Sequence, residues 1–443
     1  MHLSRYVKIY PCKDDPSWLL LYSTKKGGAI LVPESLLAAF EEGSSHSSNQ
    51  EALARLGFLV PDTVEERNEF RDVLAEANRR RKLFRAMVLL NMDCNLACIY
   101  CYERGMKGNL YMSDETAGLL VEFVERDYLS HGKRVSLTFH GGEPLMSTDL
   151  IIILSKRLKA AASCHGVEYS FNLVTNGTLL TRQMVDKLIP LGLNGAKVTL
   201  DGPVDNHNKN RPFVSGKGSF DVIVGNMKEV CDKIKVQVGG NYTPENYRQF
   251  PRLLDFLLDK GLTPERISLI KFDPVTKSGG KYPLPEFNEG CASTDEPWLM
   301  EASIYLREEI LKRGFHTPRL APSICMVEGP DELVVNFDGT LFKCPAFLGW
   351  PEMSVGDLRT GISDYAVSHN LDVWKNDECL DCAYLPLCFG GCRFLKLLRE
   401  GRIGDVDCWK RYLDATLEAF VGQDLKYRPK RPGNGDKGWG RGG

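Results

Sequence analysis

The placement of the cysteines constrains this chain more than any other feature of its sequence. It has fourteen cysteines in 443 residues, with three between Cys94 and Cys101 and seven between Cys325 and Cys408. Residues 1–6 show no apolar segment after a basic end, so we expect no secretory signal and a cytoplasmic protein whose thiols stay reduced. In that setting, grouped cysteines indicate metal ligation or catalysis rather than disulfides.

The other four cysteines stand singly, and we expect them to be small buried apolar side chains. They are Cys12, Cys164, Cys231 and Cys291. The chain is 43% hydrophobic and 26% charged with a formal net charge of −2, which is typical of a globular protein. Because it has no apolar run of about 18 residues and no excess of basic residues, we expect neither a membrane span nor a nucleic-acid partner.

Between about 85 and 315, strand-like apolar runs alternate with helix-like amphipathic runs. The predicted strands are Ala86–Asn91, Val135–His140, Tyr169–Thr175, Ala196–Asp201, Lys235–Asn241 and Arg266–Phe272. The predicted helices are Ser113–Leu129, Ser147–Ala162, Thr181–Ile189, Ser219–Cys231 and Asn246–Lys260. This order predicts a parallel α/β domain, either an open sheet or a partial barrel, with its ligand site at the carboxyl ends of the strands.

Smaller units flank this domain. Residues 1–65 read as a hairpin (6–10 and 18–22), two short helices (33–40 and 49–55) and a closing strand, which fits a winged-helix-like module. A charged helix is predicted over 64–83. It is expected to be a solvated connector, and residues 66–84 are assigned to this connector between the domains. Residues 316–425 are rich in Cys, Gly and Pro, and the basic, Gly-rich tail 426–443 is predicted to be disordered.

The first cysteine group, which we call the first cysteine loop (Cys94–Cys101), has the spacing C-x3-C-x2-C directly after a predicted strand. Three thiolates on one short loop can hold one iron–sulfur cluster. A closed zinc site needs four ligands, and the loop contains no fourth Cys or His. In a [4Fe–4S] cluster, three protein ligands leave one iron open to a small molecule.

Other motifs follow the next strands. Gly141-Gly142-Glu143-Pro144 ends the second strand, Asn176 ends the third, and Thr199-Leu200-Asp201-Gly202-Pro203 ends the fourth, with His207 and Arg211 after it. Glycines allow close approach of the backbone to a ligand, although a strand-to-helix turn alone could also explain them. A guanidinium matches the shape of a carboxylate, which favours Arg211 as a binding residue, whereas a single His207 is more typical of a structural residue.

Together these motifs resemble the radical S-adenosylmethionine (SAM) superfamily. The resemblance implies a (β/α)6 partial TIM barrel in which the open iron binds the amino and carboxylate groups of SAM. An electron from the cluster then cleaves SAM to a 5′-deoxyadenosyl radical. It further implies SAM-binding roles for Tyr100 beside the adenine, for Gly141, Gly142, Glu143 and Pro144 at the methionine amine, and for Asn176, Thr199 and Arg211.

The second cysteine group has the spacing C-x13-G-x4-C, then C-x2-C-x5-C-x3-C, then a last Cys. The central four cysteines alone could form a zinc site, but seven exceed one tetrahedral site. The full spacing resembles the SPASM domain, which houses two auxiliary [4Fe–4S] clusters. The resemblance implies a distal set, Cys379, Cys382, Cys388 and Cys408, and a nearer set, Cys325, Cys344 and Cys392. With the first cysteine loop, this implies three [4Fe–4S] clusters.

The nearer set is one ligand short, because residues 317–324 contain no cysteine. Either a distant residue such as Cys291 completes it, or one iron stays open, and we favour an open iron that could bind a substrate thiolate. Sulfatase-maturing members of the family carry an Asp directly after the cysteine that corresponds to Cys344. Here Pro345 stands there, which weakens a sulfatase-maturing interpretation.

The N-terminal module and the two cysteine groups together resemble the geopeptide maturases. This implies an enzyme that modifies a ribosomally made precursor peptide, forming a thioether or a carbon–carbon crosslink. The module would bind the precursor's leader as an added strand, and a flavodoxin or ferredoxin would donate electrons. The alternatives are a SPASM-type enzyme acting on a protein, as in sulfatase maturation, or on a small molecule, and a non-catalytic Cys-rich metal-binding protein.

Overall fold

The computed structural model describes residues 1–42, 47–277 and 290–427. Its N-terminal part contains β1 (His2–Leu3), β2 (Val7–Pro11), β3 (Trp18–Ser23), β4 (Gly28–Pro33), α1 (Glu34–Glu41), α2 (Ser47–Arg55) and β5 (Leu59–Val60). The predicted hairpin is confirmed, because β2 pairs antiparallel with β3. The sequence analysis missed β4, which pairs with β3 after a tight turn at Gly27 (φ 67°), and β1, which pairs with β5.

Helix α3 (Thr63–Arg80) follows, and the prediction of a solvated connector is wrong for one of its faces. Asp62 begins the helix by accepting hydrogen bonds from the amides of the first turn. Phe70 and Leu74, one helical turn apart, are only 4% and 3% exposed. They pack in one cluster with Tyr6 and with apolar residues of the C-terminal part, because their i, i+4 spacing puts both on one face.

The predicted parallel α/β domain is confirmed. Its strands are β6 (Leu83–Leu89), β7 (Arg134–His140), β8 (Tyr169–Thr175), β9 (Leu193–Thr199), β10 (Lys235–Tyr242) and β11 (Ile267–Pro274). Its helices are α4 (Asp114–Asp127), α5 (Thr148–Cys164), α6 (Arg182–Leu188), α7 (Val204–Asn210), α8 (Phe220–Val230), α9 (Phe250–Asp259) and α10 (Pro297–Lys312). The strands lie side by side in chain order, each parallel to the next.

Helix starts and the core follow from the local sequence. Ser113 accepts a hydrogen bond from the amide of Thr116 and caps α4, as its position predicts. Along β8, buried positions alternate with half-buried ones, and Phe171 and Leu173 lie in the main core between the strands and helices. The carboxyl ends of all six strands are thereby brought to one edge of the sheet.

The C-terminal part continues the same sheet, which the sequence did not reveal. It contains β12 (Glu332–Val335), β13 (Thr340–Phe342), β14 (Ser354–Asp357), β15 (Gly361–Ile362), α11 (Asp377–Leu380), α12 (Leu385–Cys388), α13 (Arg393–Glu400) and α14 (Lys410–Lys426). Strand β12 pairs parallel with β6, and β13 to β15 extend the sheet antiparallel to ten strands. The predicted disordered tail lies, from residue 428 on, outside the described residues. Within the described ranges, no helix is long and apolar enough to cross a lipid bilayer.

Candidate functional site

A cavity of about 430 Å³ lies at the carboxyl ends of the parallel strands, where the strand order predicts a ligand site. The residues that line it and belong to the predicted motifs are Cys94, Cys98, Tyr100, Cys101, Gly141, Gly142, Asn176, Thr199 and Arg211. Further lining residues are Tyr102, Glu103, Lys107, His140, Val174, Thr175, Lys197, Asn241, Pro274–Lys277, Pro345, Ala346, Gly349 and Phe394. The volume lies within the range of about 300–1,000 Å³ that is typical of small-molecule sites.

Hydrogen bonds to its backbone hold the first cysteine loop in place. The amide of Ala97 donates to the carbonyl of Pro212 (2.8 Å), and that of Ile99 donates to the carbonyl of Asn210 (3.0 Å). The ammonium of Lys107 donates to the carbonyl of Leu96 (2.9 Å). The loop therefore has a fixed path although it contains no regular element.

Gly141 and Gly142 are required by close backbone packing. A Cβ at Gly141 would lie 2.3 Å from the carbonyl oxygen of Asn91, and one at Gly142 would lie 2.0 Å from that of Asp93. The amide of Gly142 donates to the carbonyl of Asn91 (3.0 Å). The two glycines thus support the chain just before Cys94, in addition to lining the cavity.

The carboxylate of Glu143 is fully buried and bound to the end of β8. It accepts hydrogen bonds from the Thr175 hydroxyl (2.7 Å), the Asn176 amide (2.8 Å) and the Leu145 amide (3.0 Å). Burial raises the pKa of Glu143, and these hydrogen bonds act in the opposite direction. Glu143 and Pro144 lie outside the set of described residues that line the cavity, so Glu143 joins the ends of two strands behind it.

Asn176 connects β8 to the cysteine loop. Its side-chain amide donates to the carbonyl oxygen of the Asn95 side chain (2.8 Å) and lies 3.7 Å from the sulfur of Cys94. The Asn95 side chain donates in turn to the hydroxyl of Thr178 (2.8 Å). Asn176 therefore positions Cys94 and also lines the cavity.

A buried polar network lies on the opposite side of the loop. The Tyr100 hydroxyl donates to the Asp201 carboxylate and accepts from Arg211 (2.9 Å) and from the Asn241 side chain (3.0 Å). Burial raises the pKa of both Tyr100 and Asp201, while the charge of Arg211 lowers both. The sequence analysis did not assign Asp201 or Asn241 a role. Their position as polar residues at strand ends was the signal that could have indicated one.

Two buried polar atoms of the lining have no hydrogen-bond partner among the described residues. They are Oε1 of Glu103, whose residue is 3% exposed, and Nε of Arg211, whose residue is 9% exposed. Buried polar groups are normally satisfied, so this pair indicates a polar ligand in the cavity. A cofactor with amino and carboxylate groups fits such a lining.

The three cysteines of the loop line this space, with Cys98 buried and Cys94 and Cys101 half-buried. Burial raises the pKa of Cys94, and it raises that of Cys101 to about 12. Such thiols lose their protons when a cation binds them. In residues 1–42, 47–277 and 290–427, no three His, Cys, Asp or Glu side chains converge as they would around a single metal ion. A cluster of several iron and sulfide atoms holds its thiolates further apart, so three cysteines around a cavity fit it.

The electrostatic effects on the thiols of Cys344 and Cys388 come from cysteines of their own expected sets. Burial raises the pKa of Cys344, and the neighbouring thiols of Cys325 and Cys392 raise it further. Burial likewise raises the pKa of Cys388 to about 12, with added effects from its three partners in the distal set. Pro345 and Ala346, which directly follow Cys344 of the nearer set, line the cavity.

His207 lies beneath the site and is fully buried. Its Nδ1 accepts from the Asp201 amide (3.2 Å), and its Nε2 lies 3.0 Å from the Ser219 hydroxyl. Burial lowers the pKa of His207 to about 3, so the ring is neutral. This fits the structural role predicted for it.

The cavity is also lined by two lysine side chains that the sequence analysis missed. Lys197 on β9 lines the cavity, and its ammonium lies 3.7 Å from the carboxylate of Asp273. Lys277 lines the same cavity. The motif search did not find them because neither belongs to a recognisable pattern. Only their place at strand ends distinguishes them.

Comparison with known proteins agrees with this geometry. Residues 89–257 match the family model of the Radical SAM superfamily. Fe-coproporphyrin III synthase of Methanosarcina barkeri is 33% identical over 233 residues, which cover 51% of this chain and 51% of that protein. The serine-type anaerobic sulfatase-maturating enzyme of Bacteroides thetaiotaomicron is 36% identical over 346 residues, 68% of this chain and 80% of that protein.

Two solved structures share the fold. The structure of anSMEcpe with bound AdoMet has a TM-score of 0.60 at 18% identity and covers 77% of this chain and 98% of its own. Streptococcus suis SuiB bound to its precursor peptide SuiA has a TM-score of 0.53 at 15% identity and covers 92% of this chain and 98% of its own. The likeness to SuiB extends over more of this chain than the likeness to anSMEcpe.

Proposed function

The chain belongs to the radical SAM superfamily, and on that premise we propose that it modifies a ribosomally made precursor peptide by forming a thioether or carbon–carbon crosslink. It is an enzyme related to the anaerobic sulfatase-maturating enzymes. The proposal concerns its substrate, its reaction product and its auxiliary clusters.

In this proposal, Cys94, Cys98 and Cys101 hold a [4Fe–4S] cluster, and the remaining lining binds SAM. When bound, these groups supply a 5′-deoxyadenosyl radical that takes a hydrogen atom from the substrate. The chain's own residues orient and enclose them. Arg211 presents a buried guanidinium suited to a carboxylate, and Thr199 and Asn176 offer polar groups at two neighbouring strand ends.

The proposal of a peptide substrate rests on the edge strand of the N-terminal sheet. Strand β4 is six residues long and pairs on one side with β3, at the end of the order β2-β3-β4. Leu31 on this strand is 45% exposed. A strand that pairs on one side only offers its backbone groups to an added strand, as leader recognition requires. The partial barrel, the winged-helix-like module and the SPASM domain belong to the same proposal.

We infer that the distal and nearer sets hold the two auxiliary clusters and pass electrons between the substrate and a flavodoxin or ferredoxin. Cys408 of the distal set is exposed, whereas Cys344 of the nearer set is half-buried and stands directly before Pro345, which lines the cavity. The distal cluster would therefore face an external partner and the nearer one the reaction.

The second candidate function is modification of a protein, as in sulfatase maturation. The 36% identity to the Bacteroides enzyme favours it. The position directly after Cys344 does not, because Pro345 stands there and has no side-chain group that can accept a proton.

An anaerobic reaction of the reconstituted enzyme with SAM, dithionite and a candidate precursor peptide tests the proposal by tandem mass spectrometry. We expect a peptide that has lost two hydrogen atoms and fragments as a crosslinked ring. Formation of formylglycine in a sulfatase-derived peptide, with the precursor unchanged, would favour the second candidate.

The sheet edge can be tested separately. Leu31→Glu should weaken binding of the full precursor at least about tenfold by adding a charge to the edge, while SAM cleavage without peptide stays unchanged. Val222→Glu is the matched control, because Val222 on α8 is also 45% exposed and belongs to no sheet edge. Equal binding by the two variants would remove the support for leader addition at β4.

A further inference from the structure

The nearer set offers three thiols, Cys325, Cys344 and Cys392, for a cluster that has four irons. The sequence analysis favoured an open iron, because no cysteine lies just before Cys325. Tertiary structure allows a ligand from elsewhere in the chain.

Cys291 is hydrogen-bonded to residues that line the same cavity as the residue after Cys344. It is 2% exposed, its amide donates to the carbonyl of Val275 (2.8 Å), and its carbonyl accepts from the amide of Lys277 (2.9 Å). Val275 and Lys277 line the cavity, and so does Pro345, which directly follows Cys344. Cys291 and Cys344 thus each adjoin residues of one cavity.

Two side chains join the backbone beside Cys291 to the backbone of Cys392. The guanidinium of Arg399 donates to the carbonyl of Ala292 (2.9 Å) and to the carboxylate of Asp407. The same carboxylate accepts a hydrogen bond from the amide of Cys392 (3.1 Å). The segment that carries Cys291 is therefore fixed relative to the nearer set.

Cys291 combines burial, at 2% exposed, with this hydrogen-bonded connection to the nearer set. The other single cysteines differ: Cys164 is exposed, Cys12 is half-buried, and the thiol of Cys231 lies 3.7 Å from the carbonyl of Lys228 on its own helix.

We propose that Cys291 is the fourth protein ligand of the nearer cluster, together with Cys325, Cys344 and Cys392. The inference rests on the proposed function, which assigns a cluster to this set. It replaces the open iron expected from the sequence. A cluster whose irons all have protein ligands transfers electrons and does not bind a substrate thiolate.

The test uses the full chain with Cys94, Cys98 and Cys101 replaced by Ala, so that only the auxiliary clusters remain. After anaerobic reconstitution, this parent should contain about eight irons per chain. Ferricyanide is then added: a [4Fe–4S]2+ cluster with an unprotected iron gives one electron to ferricyanide and releases Fe2+, leaving [3Fe–4S]+. Electron paramagnetic resonance detects that product.

We expect no [3Fe–4S]+ signal from the parent. Cys291→Ala in the same background should give a signal approaching one spin per chain and lose about one iron. Cys231→Ala is the matched control, because it removes a buried thiol away from the nearer set, and it should behave like the parent. An unchanged Cys291→Ala variant, or a full signal from the parent, would overturn the assignment.

If Cys291→Ala binds no iron at all, Cys291→Ser decides the question, since an oxygen ligand keeps the cluster but changes its reduced spectrum. A Ser variant with an unaltered spectrum contradicts the proposal. A parent that binds no iron instead refutes the auxiliary clusters of the proposed function, and this inference with them. The two failures are therefore distinguishable.

Discussion

The first cysteine loop and the distal set differ in what holds them. The loop is held by backbone hydrogen bonds, such as those of Ala97 and Ile99 to residues 210–212 at the end of α7. The distal set lies among short helices, and its segment 377–384 is bound by side chains from the far end of the chain. The Tyr6 hydroxyl donates to the carbonyl of Leu380 (3.2 Å), and the Thr24 hydroxyl donates to that of Ala383 (2.6 Å).

The first cysteine loop is therefore supported within the α/β domain, whereas the segment of the distal set depends on the N-terminal module and α3. Phe70 of α3 packs between Tyr6 (ring centroids 4.6 Å apart) and Phe389 (5.7 Å), the residue after Cys388. Changes in the module should therefore affect the distal set more than the first cysteine loop. The predictions below test that separation.

The largest effect should follow from replacing Cys94, Cys98 and Cys101 by Ala. We expect 5′-deoxyadenosine formation from SAM to fall to background, since no thiolate remains to hold the first cluster. The C-terminal cysteines should keep their iron, because they lie on a different support. Chromatography of the nucleoside and iron analysis measure both, and loss of all iron would show that the two regions are not independent.

Gly142→Ala should damage the first site alone. Its Cβ would lie 2.0 Å from the carbonyl oxygen of Asp93, so the chain before Cys94 must shift. A displacement of about 1 Å at a reacting centre costs roughly a hundredfold in rate, and we expect SAM cleavage to slow by about that factor. Gly225→Ala is the control: nothing lies within 4 Å of its Cβ in α8, and it should be neutral or slightly stabilising.

Phe70→Ala should damage the other region. Removing a buried aromatic ring from this cluster is expected to lower the free energy of unfolding by about 3–5 kcal/mol and to release iron from the distal set first. Urea denaturation and iron analysis check this. Arg67→Ala should have a much smaller effect, because its partner Asp377 is 88% exposed. Equal losses from both variants would show that charge pairs, not packing, hold the segment.

The smallest effect concerns pH. Burial lowers the pKa of His207 to about 3 from its ordinary 6.5, so between these values the unfolded chain binds a proton that the folded chain does not. The free energy of unfolding should therefore fall as pH falls below 6.5, by about 1.4 kcal/mol per unit from this group. His207→Gln should remove that slope in urea denaturation between pH 6.5 and 5.

The C-terminal region has a counterpart in His369, whose pKa burial lowers to about 4. His369→Gln should reduce the acid sensitivity in the same direction over a narrower range. If neither variant changes the slope, other groups determine the acid stability of both regions.

Much of the first site could be predicted from the sequence. The strand positions were found within a few residues, and β8 (Tyr169–Thr175) was found without error. Most of the predicted site residues of the α/β domain, including Cys94, Asn176 and Arg211, line one cavity, whereas Glu143 and Pro144 do not. This was possible because strand periodicity is local and the carboxyl ends of parallel strands meet at one edge.

Other features required the tertiary structure. The burial of Phe70, the place of Lys197 in the cavity and the connection of the Cys291 segment to Cys392 all depend on segments that are far apart in the chain. Glu143 likewise reads as part of a binding motif, yet its carboxylate is bound to the strand end behind the cavity.

By itself, the sequence therefore determined the α/β class, the two cysteine groups and the edge of the sheet at which ligands bind, because each is encoded in a short pattern. Only the tertiary structure decided which distant residues meet at that edge and which parts of the chain support each cysteine set. The physical reason is that packing joins side chains by their distance in space, and that distance is not encoded in any local spacing.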